Sequence, residues 1–232
     1  MIFKANGIMI TYTNEDCMIG MARYPDKYFE LAIVDPPYRN ASENQPTKDM
    51  RANGTLNNFG DKPNENYFKE LFRVSQNQII WGANNFQLPD YKGFIIWKKL
   101  TISDAFTMSM AELAYISEGI GTTSKIFEYA PQGTKQDPRI HPTQKPVALY
   151  KWLLKNYAKP NDKILDTHVG SASSLIACRD MGFDAVGFEL DKEYFEKSTQ
   201  RLEDFQRQPK IEELMQIEYT QEEMKTHKVS GG

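Results

Sequence analysis

Residues 31–38 read Leu31-Ala32-Ile33-Val34-Asp35-Pro36-Pro37-Tyr38. The apolar run, followed by an acid and two prolines, predicts a buried strand that ends abruptly in a stiff turn. In an open α/β sheet, ligands bind beyond the carboxyl ends of the strands, where Asp35 would lie. The turn then presents a carboxylate, backbone carbonyls and an aromatic ring, which together suit the amino group of a flat base. The alternative is an ordinary strand-ending Asp-Pro turn with a packed tyrosine.

A second informative stretch lies nearer the carboxyl end of the chain. A predicted strand over residues 163–166 leads through Gly170-Ser171-Ala172-Ser173 into a predicted helix. Small residues in such a turn let a ligand approach the backbone, and the helix N-terminus supplies N–H donors and a positive dipole. The sequence has neither the dinucleotide fingerprint Gly-x-Gly-x-x-Gly nor the Walker lysine, so no motif favours a pyrophosphate or a triphosphate.

Glu189 ends the next predicted strand, residues 183–189. It follows the glycine turn by about 20 residues, the spacing at which an acid binds ribose hydroxyls. The alternative is that Glu189 only provides a negative charge before the helix predicted for residues 191–206. Both interpretations stay open on the sequence alone.

These stretches resemble one known family, the S-adenosylmethionine-dependent amino-methyltransferases that act on DNA. Residues 35–38 are similar to its motif IV, the block His141-Pro142-Thr143-Gln144-Lys145-Pro146 to motif X, and residues 164–173 to motif I. Motif IV comes first, which is the order of the β class. The resemblance spans about residues 9–201 and implies an α/β, Rossmann-like fold with a doubly wound, mostly parallel sheet and circularly permuted motifs. The sequence departs at residues 167–169, where many relatives have Pro-Phe-x, and at Ala172, where they have glycine.

The resemblance implies S-adenosyl-L-methionine as cofactor and assigns roles to two sets of residues. The catalytic set is Asp35, Pro36, Pro37 and Tyr38. The cofactor-binding set is Asp16, Cys17, Asp35, Lys145, Asp166, His168, Gly170, Ser171, Ala172, Ser173 and Glu189. In relatives, the acid at the position of Asp16 contacts the cofactor's adenine, and Lys145 lies at the methionine end. Asp16 is also well placed to cap a helix that begins after it.

The implied reaction is methylation of adenine N6 in double-stranded DNA. The amino nitrogen is a poor nucleophile because its lone pair is delocalised, and acceptance of its hydrogens by Asp35 and a proline carbonyl would localise that pair. Neither Cys17 nor Cys178 follows a proline in a plausible catalytic loop, which disfavours methylation at cytosine carbon 5. The base must be flipped out of the duplex. Cytosine N4, an RNA substrate, or a non-catalytic nucleic-acid-binding protein that retains the fold are the alternatives.

Candidate DNA contacts surround the predicted pocket. The basic residues expected to contact DNA are Arg39, Lys98, Lys99, Lys135 and Arg139. The polar stretch of residues 39–63 is a candidate lid over the target base. A target-recognition insertion is expected at about residues 100–140. It is short, and direct readout needs several side chains that reach base edges, so it predicts contact with a few base pairs or help from a partner. This is the basis for a homodimer hypothesis.

Composition sets the outer bounds. The length of 232 residues, with 40% hydrophobic and 25% charged residues, is that of one α/β domain with a full core. The resemblance implies that this is a single methyltransferase domain over residues 1–207, followed by an acidic, polar tail over 208–232. Two cysteines and three separated histidines indicate neither a disulfide framework nor a zinc site. Without a membrane-length apolar run or a signal-peptide pattern, we expect a cytoplasmic protein of bacterial or phage origin. A net charge of −3 argues against a protein that is basic all over, although the middle of the chain is rich in lysine.

Overall fold

The computed structural model describes residues 1–5, 7–40, 60–102, 105, 109–131, 139–141 and 143–207. Nine strands and five α-helices lie in these ranges. The strands are β1 (Ile2–Ala5), β2 (Ile8–Asn14), β3 (Phe29–Val34), β4 (Ser75–Trp81), β5 (Phe94–Lys99), β6 (Ala111–Ile116), β7 (Lys125–Tyr129), β8 (Ile164–Asp166) and β9 (Ala185–Glu189). The helices are α1 (Cys17–Met21), α2 (Glu65–Val74), α3 (Val147–Tyr157), α4 (Ser173–Met181) and α5 (Lys192–Arg207).

All nine strands belong to one sheet, in the order β1-β2-β9-β8-β3-β4-β6-β5-β7. The five neighbours from β2 to β4 are parallel to one another. β1 is antiparallel to β2, and β6 is antiparallel to both β4 and β5. This mostly parallel sheet confirms the predicted Rossmann-like α/β class.

The strand order reverses between β8 and β3. These two strands pair in parallel through Leu31 with Ile164 and Ala32 with Leu165. From β8 the chain continues through α4 to β9 on one side, and from β3 it continues through α2 to β4 on the other. Open α/β sheets bind ligands in the crevice at such a switch point, beyond the carboxyl ends of the strands. Asp35 and Asp166 are the acids at those two ends.

The central strand β3 is buried on both faces. One core cluster joins alternate residues of β3 to α3 and α4 and includes Leu31, Ile33, Leu153 and Ile176. The cluster on the opposite face joins β3 to α1 and α2 and includes Ala32, Val34, Met21 and Leu71. Two-sided burial explains why the run from residue 31 to 34 is apolar without alternation. Each fully buried Leu or Ile side chain stabilises the fold by about 1.5–3 kcal/mol, so β3 is fixed firmly beneath the turn that follows it.

The region predicted as a recognition insertion contains part of the main sheet. β6 lies between β4 and β5, and β7 pairs with the outer side of β5. Ala114 and Ile116 of β6 are almost fully buried, so this strand is needed to complete the core. Within residues 100–140, β6 and β7 therefore belong to the sheet, and a target-recognition role for this region stays a prediction.

Three sequence predictions concern residues outside the described ranges: most of the lid over residues 39–63, the basic residue Lys135, and the tail over residues 208–232. Among the helices of the described part of the chain, none has both the length and the apolar character needed to cross a membrane.

Candidate active site

Asp35 directly follows β3, where Pro36 and Pro37 end the strand because they have no backbone N–H to donate. Its carboxylate is engaged on both oxygens. The hydroxyl of Tyr38 donates to Oδ1 at 2.6 Å, and the Nζ of Lys145 donates to Oδ2 at 2.6 Å. The structure thus brings together motif IV and motif X, which are separated by more than 100 residues in sequence.

Gly82 leaves room for the Tyr38 ring because it has no side chain. This glycine follows β4 with a φ of 71°, in the left-handed region, and a Cβ at this position would lie 2.1 Å from Cε1 of Tyr38. The Nδ2 of Asn85 donates to the carbonyl oxygen of Gly82 at 3.0 Å and closes the turn. Glycine is therefore required here for two independent reasons, its backbone conformation and the close approach of the ring.

Two further charged residues, Glu112 and Lys99, extend the Asp35–Lys145 pair. Oε2 of Glu112 lies 2.8 Å from the Nζ of Lys145 and accepts from the Tyr38 hydroxyl at 3.3 Å. Oε1 of Glu112 lies 2.6 Å from the Nζ of Lys99. Two carboxylates and two ammonium groups therefore alternate through the pocket wall. Sequence reasoning missed Glu112, although an acid within the otherwise apolar strand of residues 111–116 is a usable signal.

The pKa shifts follow from burial and from this alternation. Burial raises the pKa of Asp35 above its usual value, although the Lys145 ammonium opposes the rise. Burial would lower the pKa of Lys145, but Asp35 and Glu112 outweigh it and the pKa is raised, so Lys145 stays charged. Burial would raise the pKa of Glu112, but Lys145 and Lys99 bring it below its usual value. Burial and the charge of Asp35 raise the pKa of Tyr38, so its hydroxyl stays a donor.

Asp166, the last residue of β8, anchors the second predicted turn. Its Oδ1 accepts from the backbone N–H of His168 at 3.0 Å, and its Oδ2 accepts from the hydroxyl of Ser174 at 2.5 Å. Burial raises the pKa of Asp166 to about 7. Neutral donors thus hold this carboxyl group in place.

The turn after Asp166 is tied to its neighbours. The N–H of Gly170, whose φ is 54°, donates to Oε2 of Glu189 at 2.8 Å. Nη1 of Arg201 on α5 donates to the hydroxyl of Ser173 at 3.0 Å and to the carbonyl of Ser171. Ala172 adopts the left-handed conformation with a φ of 61°, which costs roughly 1–2 kcal/mol for a residue with a Cβ. This accounts for the glycine that the family pattern has at this position.

The two histidines near the turn are held neutral. Burial lowers the pKa of His168 to about 4, and its Nδ1 hydrogen-bonds with the hydroxyl of Thr167 at 2.9 Å. Burial lowers the pKa of His141 to about 3, and its ring packs edge-on to Tyr194 at 4.3 Å between centroids. His168 is a packed turn residue in this structure, and a cofactor contact for it stays a prediction.

Asp16 and Cys17 begin α1. The Oδ1 of Asp16 accepts from the backbone N–H of Met18 at 2.7 Å, so the helix-capping interpretation is correct. Asp16 is exposed and lies beside the end of β9, and its contact with a cofactor stays a prediction alongside the cap. Burial raises the pKa of Cys17 to about 12, which keeps the thiol protonated.

The basic residues predicted to contact DNA occupy different environments. Arg39 and Arg139 are exposed, and Nε of Arg139 donates to the carbonyl of His141 at 3.2 Å. Lys98 is exposed and lies 2.6 Å from Glu128. The prediction that Lys99 contacts DNA is wrong. Its side chain is only 9% exposed, because successive residues of β5 point to opposite sides of the sheet. Its ammonium neutralises Glu112 and is not on the surface where a phosphate would lie.

Within the described part of the chain, no three histidine, cysteine or acidic side chains come together as a metal site.

Comparisons of sequence identify the family. Residues 11–200 match the family model described as DNA methylase, N6_N4_Mtase. The YubD protein of Escherichia coli (strain K12) is 26% identical over 86% of this chain and 92% of its own length. The type II methyltransferase M.HinfI of Haemophilus influenzae is 20% identical over 92% of this chain and 74% of its own length.

Solved structures share the architecture. The M1.HpyAVI–SAM complex superposes with a TM-score of 0.59 at 19% identity, covering 84% of this chain and 99% of that chain. The PvuII DNA methyltransferase, described as cytosine-N4-specific, has a TM-score of 0.54 at 10% identity and covers 87% of this chain. At such identities the likeness establishes the fold alone, whereas the family match extends over most of the sequence. The chain belongs to the N6/N4 DNA methylase family, the amino-methyltransferases of DNA.

Proposed function

We propose that this protein transfers a methyl group from S-adenosyl-L-methionine to the N6 amino group of adenine in double-stranded DNA, after the target base has been flipped out of the duplex. One observation carries the proposal. Asp35 lies directly after β3, at the switch point of the sheet, and its partly exposed carboxylate is held by Tyr38 and Lys145 in a turn that also contains Pro36 and Pro37.

The residues of this turn have different roles in the proposed reaction. An ionised Asp35 accepts one hydrogen of the amino group and a proline carbonyl accepts the other, which directs the nitrogen lone pair toward the methyl group. The Tyr38 ring stacks on the base and compensates part of the unstacking cost, on the order of a few kcal/mol. No covalent intermediate is needed. The raised pKa of Asp35 implies that activity falls as the pH drops through a value above that of an ordinary aspartate.

The residues beside Asp35 fit S-adenosylmethionine. Asp166 ends β8, the neighbour of β3, and Gly170 lies in the turn after it. Glu189 ends β9, the next strand along. The carboxylate of Glu189 accepts backbone N–H groups at 2.8 and 2.9 Å and keeps lone pairs for ribose hydroxyls. Asp16 would receive the adenine amino group and Lys145 the methionine end, with the remaining turn residues in van der Waals contact. When bound, the cofactor supplies an electrophilic methyl group on a sulfonium sulfur.

The target is adenine in this proposal because the first residue of the catalytic turn is aspartate, whereas serine is commoner in relatives that act on cytosine. We further propose that four basic residues contact the DNA phosphates: Arg39, Lys98, Lys135 and Arg139. The segments that flank β6 and β7 would recognise a short DNA sequence. Residues 1–207 would form one domain, followed by a tail. A homodimer would supply the remaining contacts, and the enzyme would act in a bacterial cytoplasm.

Methyl transfer to unmethylated genomic DNA tests the function directly. The purified chain is incubated with S-adenosylmethionine carrying a labelled methyl group, and the digested nucleosides are analysed by mass spectrometry. Labelled N6-methyladenine is the expected product. N4-methylcytosine would keep the mechanism and correct the base. Cofactor binding without any product on DNA would overturn the proposal and favour an RNA substrate or a non-catalytic role.

A further inference from the structure

Glu112 shares both of the donors that hold Asp35. The Lys145 ammonium lies 2.6 Å from Oδ2 of Asp35 and 2.8 Å from Oε2 of Glu112. The Tyr38 hydroxyl lies 2.6 Å from Oδ1 of Asp35 and 3.3 Å from the same Oε2 of Glu112. The two carboxylates are therefore alternative acceptors for one ammonium group and one hydroxyl group.

Glu112 itself is fixed. Its other oxygen, Oε1, lies 2.6 Å from the ammonium of Lys99, whose side chain is 9% exposed. Glu112 lies on β6 in register with Trp97 of β5, so pairing between the two strands fixes its backbone. A charged lysine behind Glu112 keeps this carboxylate ionised and leaves Oε2 to face Lys145 and Tyr38.

The proposed reaction poses a problem that Asp35 cannot solve alone. Each of its oxygens already accepts a strong hydrogen bond, so the amino group of the target base must compete at Oδ2 with the charged ammonium of Lys145, a stronger donor than a neutral amino group. If the buried ammonium of Lys145 left Asp35 and found no other anionic partner, its burial would cost a large desolvation free energy. An acceptor within reach of the displaced ammonium removes that cost, and Glu112 is such an acceptor.

We propose that Glu112 is a positioning residue that receives the Lys145 ammonium when the amino group of the target base takes its place on Oδ2 of Asp35, while the Tyr38 hydroxyl stays on Oδ1. This inference rests on the proposed function and goes beyond it, because it adds a residue from β6 to a site built from motifs IV, X and I. The contacts to Glu112 already exist, so the exchange requires small displacements and never leaves the ammonium unpaired.

The variant Glu112→Gln tests the proposal because it keeps the shape of the side chain and removes its charge. Lys145 then binds Asp35 more exclusively, and the amino group must compete with it. We expect the single-turnover rate of methyl transfer to fall by between about ten- and a hundredfold, while the dissociation constants for cofactor and DNA change less than about twofold. Glu112→Asp restores a charge and should recover part of the rate. Glu118→Gln, an exposed acid beyond the end of the same strand, is the matched control.

A pH profile separates positioning from a merely structural role. The titratable groups around Asp35 come from several elements and are Tyr38, Tyr67, Glu112, Lys145, Tyr150 and Asp166. The charge of Glu112 raises the pKa of Asp35. Glu112→Gln therefore shifts the acid limb of the transfer rate to lower pH while it lowers the plateau, a combination that loss of folded protein would not produce.

The outcomes are decisive in both directions. A Glu112→Gln rate equal to that of the unmodified protein overturns the inference, as does a loss of cofactor binding in proportion to the rate with no recovery in Glu112→Asp. If Glu112→Gln does not fold, the double variant Lys99→Met with Glu112→Gln removes the buried pair as a unit, which proteins often tolerate, and must show the same loss of rate. No transfer by the unmodified protein to either base would overturn the proposed function first, so the two failures are distinguishable.

Discussion

Two aspartates end the two central strands, and their surroundings differ. Asp35, after β3, is held by the ammonium of Lys145 and the hydroxyl of Tyr38. Asp166, at the end of β8, is held by the hydroxyl of Ser174 and the backbone N–H of His168. Burial raises the pKa of both, but a cation opposes the rise at Asp35 and neutral donors oppose it at Asp166. Asp35 is therefore stabilised by a charged partner, whereas Asp166 is stabilised by hydrogen bonds from neutral donors.

This difference teaches that residue type and position in the fold do not fix the role of an acid. Both aspartates lie at the carboxyl ends of buried apolar strands, and both lie at the switch point. The neighbouring groups determine their roles: Asp35 can accept a hydrogen bond from the substrate, whereas Asp166 stabilises a ligand-binding turn. Substitutions at the two positions should therefore fail in different ways.

Asp35→Ala should produce the largest effect. It removes the charged acceptor for the amino group, and we expect methyl transfer to fall by about a thousandfold or more. Cofactor affinity should stay within about twofold, because Glu112 still pairs with Lys145. Labelled methyl transfer and calorimetric titration with the cofactor measure the two quantities.

Asp26→Ala is the control for this variant, since Asp26 is 77% exposed and pairs with Arg73 of α2 at 2.8 Å. Equal losses of transfer and of cofactor affinity in Asp35→Ala would mean that the catalytic turn has been assigned wrongly.

Asp166→Asn should change stability in a pH-dependent way. The pKa of Asp166 is about 7 in the folded protein and about 3.9 in an unfolded chain. Because the folded value is the higher one, the carboxyl group favours folding most below about pH 4, and this contribution is lost as the pH rises through 7. Relative to the unmodified protein, Asp166→Asn should therefore gain on the order of a few kcal/mol between pH 4 and pH 8.

Urea unfolding at several pH values measures this difference, and Asp204→Asn on the exposed side of α5 is a suitable control. A difference in unfolding free energy that stays constant with pH would show that the raised pKa of Asp166 plays no part in stability. The Asp35→Ala variant, whose effect is on the reaction, provides the contrast.

Local sequence was enough to predict the centre of this fold. The unbroken apolar run before Asp35, the two prolines after it and the small residues after Asp166 are features of neighbouring residues, and the corresponding strands and turns are present. The parallel, doubly wound arrangement followed from the family resemblance, since motif order carries information about connectivity.

The wall of the pocket could not be predicted in the same way. The place of β6 between β4 and β5 depends on pairing between segments that are far apart in sequence. The Lys145–Glu112–Lys99 chain joins residues from three separate segments, and no local pattern shows which acid meets which base. The sequence alone predicts the same surface role for Lys98 and Lys99, whereas adjacent strand residues face opposite sides and only Lys98 is exposed.

Tyr38→Phe should have the smallest effect and sharpens the comparison most. It removes the hydroxyl that donates to Asp35 at 2.6 Å and keeps the ring, so stacking on the base is preserved. We expect the transfer rate to fall by about tenfold, since one hydrogen bond to a charged group contributes roughly 1.5 kcal/mol or more, with unchanged affinity for DNA. Tyr91→Phe, whose ring packs against Tyr115 at 5.2 Å between centroids, controls for loss of a hydroxyl elsewhere. In an Asp35→Ala background the effect of Tyr38→Phe should vanish, because the hydroxyl acts through that carboxylate. An unchanged tenfold loss in the double variant would show that the hydroxyl contacts the substrate by itself.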